Sequence, residues 1–161
     1  MASQFAPDTS GSTKRPDLIS ILGILGFINT GLFLIIYGLG IPMMAGLQQM
    51  PLEEVQALVD ESMSMSLSQE QLDEVYGIVD VMHASGVALI LILFARTVVR
   101  LVGIIGLWKG RRWGFMVYAL AQIAGIFLPH LVLPWSMMGF FGPFMALAMT
   151  AAYYSQYKRL T

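Results

Sequence analysis

Four apolar runs, each near the length of a membrane-crossing helix, constrain this chain more than any other feature. They cover about residues 18–44, 78–108, 113–133 and 135–154. A bilayer core about 30 Å thick takes roughly 20 apolar residues of helix. Hydrocarbon offers no hydrogen bonds, so a chain within it must satisfy its backbone internally, and helices do so. In the first run the polar exceptions are Ser20, Asn29 and Thr30, and Gly38, Gly40 and Pro42 predict an end or a bend. The second is long enough to tilt or to project beyond the membrane. Pro129 and Pro134 bracket a short turn containing His130, and the fourth and shortest run contains Pro143. A membrane proline bends a helix without ending it when neighbours satisfy the freed carbonyl. The expected fold is all-α: a four-helix transmembrane bundle with a helical acidic extracytoplasmic segment, residues 45–77, between the first two helices.

The balance of residues agrees. Of 161 residues 57% are hydrophobic and 12% charged, against roughly 25% charged in a soluble domain. One domain, residues 17–157, accounts for the length. Residues 1–16, rich in Ser, Thr, Pro and Gly, read as a disordered cytoplasmic tail, and 158–161 as a cytoplasmic end. The first run exceeds the roughly 7–15 residues of a signal-peptide core, so it reads as an uncleaved anchor. Net charge −1 gives no bulk attraction to nucleic acid. With no cysteine, disulfides, thiolate metal sites and thiol catalysis are excluded. No phosphate-binding loop, zinc-protease helix, nucleophile elbow or dinucleotide fingerprint occurs, and no cofactor is expected.

Charge placement orients the bundle. Seven of the nine basic residues (Lys14, Arg15, Lys109, Arg111, Arg112, Lys158, Arg159) flank helix ends on one side of a four-crossing chain, while residues 48–80 hold eight of the ten acids and no Lys or Arg. The basic side is the cytoplasm, which puts both termini there, in a plasma or inner membrane. Trp108 and Trp113 fall at one interface and Trp135 at the other. Within the acidic segment Pro51 opens a helical stretch with Leu52, Val55 and Val59 on one face. Ser68 and Gln71 have capping-box spacing before a helix that enters the second run without a breaker. The segment is read as a solvated cap rather than a docking surface.

The turn Gly106-Leu107-Trp108-Lys109-Gly110-Arg111-Arg112-Trp113-Gly114 has a physical rationale: glycines turn, cations hold the turn inside, tryptophans anchor both helix ends. It resembles the turn of small bacterial four-helix inner-membrane proteins of unknown function, including some described as DoxX-like. That resemblance implies a bacterial inner-membrane protein and carries over no catalytic residue. Lys109, Arg111 and Arg112 also offer a contact for anionic lipid. Small-residue pairs (Gly23 and Gly26, Gly103 and Gly106, Ala121 and Gly125, Ala148 and Ala152) predict close helix contacts, within the bundle or in a homo-oligomer. The 12 methionines read as packing rather than Cu(I) ligands.

Two polar groupings remain. Asp80 and His83 lie one helical turn apart, and His130 comes from the other outer turn; no metal site is expected, and these three are a weak alternative ligand set. Arg96 and Arg100 need more explanation, because a charge at a helix centre costs at least about 2.5–3.5 kcal/mol on insertion scales. Counting about 1.5 Å per residue from the cytoplasmic ends places Arg96 roughly 18 Å deep, Arg100 roughly 12 Å, Asn29 about 17 Å and Gln122 about 14 Å. One inward polar layer of Arg96, Arg100, Asn29 and Gln122 is therefore expected, with Thr30 and Thr97 beside it. It has no carboxylate, so it invites an anion. Enzymatic chemistry is disfavoured, since no acid, base or nucleophile shares that depth. The preferred role is a small structural or accessory subunit that pairs its arginines with another membrane protein or merely buries them. The alternative is binding or transport of an anionic lipid head group or small anion at the Arg96/Arg100 layer.

Overall fold

The computed structural model describes residues 5–63 and 67–161. Five helices follow one another: α1 Asp17–Leu47, α2 Leu52–Met63, α3 Gln69–Trp108, α4 Arg112–Phe127 and α5 Phe141–Tyr154. Short 3-10 turns occupy Leu128–Leu131, Trp135–Met137 and Tyr157–Arg159. Three segments, Asp17–Leu47, Gln69–Trp108 and Arg112–Leu131, are long and apolar enough to cross a membrane.

Local chemistry accounts for most boundaries. α1 continues through Pro42 to Leu47, so the proline neither ends it nor removes more than its own N–H bond to the preceding turn. α2 starts after Pro51, whose carbonyl accepts the amides of Glu54 and Val55, and it buries Val55 as its sequence pattern predicts. The capping box at the head of α3 is formed: the Ser68 amide donates to Gln71 Oε1 at 2.9 Å and Ser68 Oγ accepts from the Gln71 amide at 3.4 Å. With 40 residues and no proline, α3 is about 60 Å long, twice the thickness of a hydrocarbon core.

The fourth apolar run departs from expectation. Residues 135–154 are not one helix: a 3-10 turn at Trp135–Met137 precedes α5, which has 14 residues, about 21 Å. The third run likewise leaves α geometry at Phe127. Pro129 and Pro134 supply no amide for a helical ladder, and Gly139 adds freedom just before α5. Among the described residues three segments rather than four therefore meet the length of a span, and residues 132–140 connect the third to α5.

α3 is the central element, packed against α1 on one side and α4 on another, while α5 packs mainly on α4. Glycines set the α3–α4 approach. A Cβ at Gly103 would lie 2.6 Å from the Tyr118 amide nitrogen, and one at Gly106 would lie 2.5 Å from Gly114 Cα. On α1, Gly23 lies under the Trp108 ring and Gly26 under Ile104. The small-residue contacts anticipated from these positions are thus made within the chain.

The main core lies at the end shared by the termini and the α3–α4 turn, where Ile19, Leu22, Ile104, Leu107, Tyr118 and Tyr153 cluster. Phe5 and Leu160 complete it at 2% and 0% exposure. Here a second expectation fails: residues 5–16 are not a loose tail. Ala6 N donates to Arg159 O at 2.8 Å, Thr161 N to Gly110 O at 2.7 Å, and Arg112 N to Thr161 O at 2.9 Å. Arg159 clasps the segment, giving Nε to Ala6 O and Nη2 to Ser12 and Lys14 carbonyls, and pairing with Asp8 at 3.1 Å. Arg15 lies over the Trp108 ring at 3.7 Å. The composition of the segment suggested disorder, but one buried phenylalanine and one saturated guanidinium hold it.

Candidate functional site: Arg96 and the adjoining cavity

Arg96 sits on α3 where α4 presents Gly125. A Cβ at that glycine would lie 1.8 Å from Arg96 Nε and 2.0 Å from Cζ, so the guanidinium lies directly on the helix backbone. Nε donates to Ala121 O at 3.2 Å and Nη2 to Gln122 Oε1 at 3.1 Å. The Gln122 amide in turn donates to the Tyr118 hydroxyl at 3.1 Å. Each link fixes the next: Tyr118 holds Gln122, and Gln122 holds the guanidinium plane. Nη1 makes no hydrogen bond among the described residues.

Arg100, one turn further along α3, leans the other way. Its Nη2 donates to Asn29 Oδ1 on α1 at 2.5 Å, and its Nε is buried without a partner among the described residues. The expected layer is therefore split into two pairs, Arg96 with Gln122 and Arg100 with Asn29, each joining α3 to a different neighbour. Thr97 and Thr30 do not join either pair, because their hydroxyls donate to carbonyls of their own helices, Leu93 O and Gly26 O. Neither arginine has an ion pair among the described residues. Amide and carbonyl oxygens satisfy N–H geometry but leave the positive charge in place.

Beside Arg96 opens a cavity of about 230 Å³ between α3, α4, the Leu128–Leu131 turn and the head of α5. Ile126, Pro129, Leu133, Met137 and Pro143 give it apolar walls, and His130 is its other titratable lining residue. The His130 ring stacks on Trp135 at 4.6 Å between centroids, with Nδ1 3.4 Å from Leu133 O. This arrangement suits an anion with an apolar body: one oriented cation, low polarity around it, and a way in.

The outer residues do other work. His83 Nε2 is 2.9 Å from Met50 O, and Asp80 Oδ1 accepts from Gln56 at 3.0 Å. Both tie α2 and its entry turn to α3, as does the Tyr76 hydroxyl, which donates to Asp60. His130 lies instead on the cavity wall. Among the described residues no three His, Cys, Asp or Glu side chains group as metal ligands, so Asp80, His83 and His130 do not form the alternative metal set.

Sequence reasoning missed the cavity because it treated residues 135–140 as helix. The signal was present: two prolines and Gly139 and Gly142 lie within 14 residues, and together they describe a wall better than a span. Gly125 was picked out for close contact, but its partner is an arginine rather than another backbone. No protein-family model, curated protein or solved structure matches the chain.

Proposed function

We propose that this chain is a bacterial inner-membrane protein of four crossings, α5 with its flanking turns making the fourth, and that it holds the anionic head group of a membrane-resident amphiphile at Arg96. The cavity carries the reading: Arg96, fixed by Ala121, Gln122 and Gly125 and with no hydrogen bond at Nη1 among the described residues, lines a largely apolar pocket in which no described carboxylate takes part. An arginine serving only as structural glue would be covered on that side. The returning chain supports the fourth crossing, since Thr161 bonds Gly110 at the α3–α4 turn while Trp135 lies beyond the opposite end of α4. Cytoplasmic termini follow from the Lys and Arg residues gathered at that end.

Purification in mild detergent with mass spectrometry of bound molecules tests this. The parent should carry an anionic amphiphile, and Arg96→Leu should insert normally and lose it; equal retention by both proteins defeats the reading. The accessory-subunit role is favoured by a separate observation, the buried unpartnered Nε of Arg100 beside Asn29. On that reading a partner helix supplies a carboxylate, and a co-purifying protein is lost with Arg100→Leu but kept with Arg96→Leu.

A further inference from the structure

Resting on the proposal that Arg96 receives a head group, we infer that the head group is a single carboxylate carried on one alkyl chain, as in a free fatty acid. The number of donors is the first argument. A guanidinium has five N–H groups; Nε and Nη2 commit one each to Ala121 O and Gln122 Oε1, and Nη1 commits none. The open end matches the two oxygens of one carboxylate. Among the described residues no Lys, Ser, Thr, Asn or second Arg lines the cavity, and of the His130 ring Nδ1 faces Leu133 O, which leaves Nε2 as the one further ring nitrogen there. A phosphodiester presents the same two terminal oxygens, so the choice between carboxylate and phosphodiester falls to the second ester arm that the latter carries.

Size is the second argument. About 230 Å³ is below the roughly 300 Å³ of the smallest ordinary ligand pockets. It takes a carboxylate and the first methylenes of one chain, not a glycerol with two acyl arms. The rest of the chain has a way out past Gly139 and Gly142, where a Cβ would meet nothing within 4 Å. Phe140 and Phe141 next to them are 82% and 74% exposed, an apolar surface continuous with lipid tails. The ligand thus enters sideways from the bilayer, carboxylate first.

The test uses the full chain, stripped of lipid and placed in phosphatidylcholine nanodiscs, with binding of labelled palmitate measured at equilibrium. One saturable site per chain is expected. Hexadecanol, which has the chain but no charge, should not compete. Arg96→Gln and Gly125→Ala should each weaken binding at least tenfold, the second without removing any charge; circular dichroism melting confirms that both variants are folded. Arg111→Gln, on the α3–α4 turn, should bind as the parent does. Palmitate held equally well by Arg96→Gln overturns the inference. If phosphatidylglycerol binds in an Arg96-dependent way and palmitate does not, the carboxylate assignment fails and the head-group site stands. If no anion binds in an Arg96-dependent way, both fail.

Discussion

Two tyrosines on facing helices differ in how their hydroxyls are satisfied. Tyr118 OH accepts the Gln122 amide, whereas Tyr153 OH is buried with no partner among the described residues, although the rings meet edge to face at 4.8 Å. An unsatisfied buried polar group costs about 1–3 kcal/mol. Tyr153→Phe should therefore raise the thermal stability of the purified protein or leave it unchanged, and Tyr118→Phe should lower it by about 1 kcal/mol or more. A loss in both would mean that Tyr153 has a partner after all. Asp8 gives a pH effect with a definite sign. Its carboxylate accepts from the Ser10 hydroxyl, the Ser12 amide and the Ser10 amide and pairs with Arg159. These contacts, led by the Ser10 hydroxyl, hold its pKa at about 2 against an ordinary 3.8. A depressed carboxylate contributes stability above its unfolded pKa and loses it as pH falls through the folded one. The protection of the Ala6 amide, bonded to Arg159 O, against hydrogen exchange relative to its intrinsic rate should thus fall between about pH 4 and 2, and Asp8→Asn should remove that acid step. At this scale counting along the helices sets Arg96, Arg100, Asn29 and Gln122 at similar heights, and they bond in two pairs, Arg96 with Gln122 and Arg100 with Asn29. The sequence could not say which way each arginine leans, because that depends on Gly125 leaving room on α4.

The elements differ in how openly the sequence declares them. The head of α3 was legible from Ser68 and Gln71 alone, since a capping box satisfies two amides that the first turn leaves open. Ser68→Ala should cost about 0.5–2 kcal/mol, seen as faster exchange of the first-turn amides of α3 with no change at Arg96. The α3–α4 pair was legible from its glycines, though only the structure shows how near the backbones come. Gly106→Leu should force the helices apart at Gly114 and cost about 3 kcal/mol or more, read as a lower melting temperature or failure to fold; a parent-like melting point would contradict the contact. The turn between Pro129 and Pro134 is as expected, whereas Trp135 to Phe140 is not the helix that hydropathy suggests. Hydropathy measures how apolar a stretch is and not whether its amides can form a ladder, so Trp135, Met137 and Met138 read as span. The segment 5–16 was misread for the opposite reason: its polar composition concealed one apolar anchor, Phe5.

At the level of the molecule, the termini and the α3–α4 turn share one end, tied by the Ala6–Arg159 and Thr161–Gly110 bonds. The proposed topology puts that end in the cytoplasm. A cytoplasm-dependent reporter should then be active in the Lys109–Arg112 turn and silent between Gln48 and Asp80; activity in the acidic segment would invert the assignment. The shape of α3 also has a mechanical consequence. Its backbone is pinned near Gly103 and Gly106, where α4 leaves no clearance. From Gly103 to Gln69 is about 51 Å of unbroken helix, but from Gly103 to Arg96 only about 10 Å. A rigid rod held at that fulcrum divides its motion in the same ratio, so a 5 Å swing of the acidic outer hairpin moves Arg96 by about 1 Å. Because α1 follows α3 outward as far as Gly86, where Met44 lies against it, motion of the outer hairpin reaches the arginine smaller still.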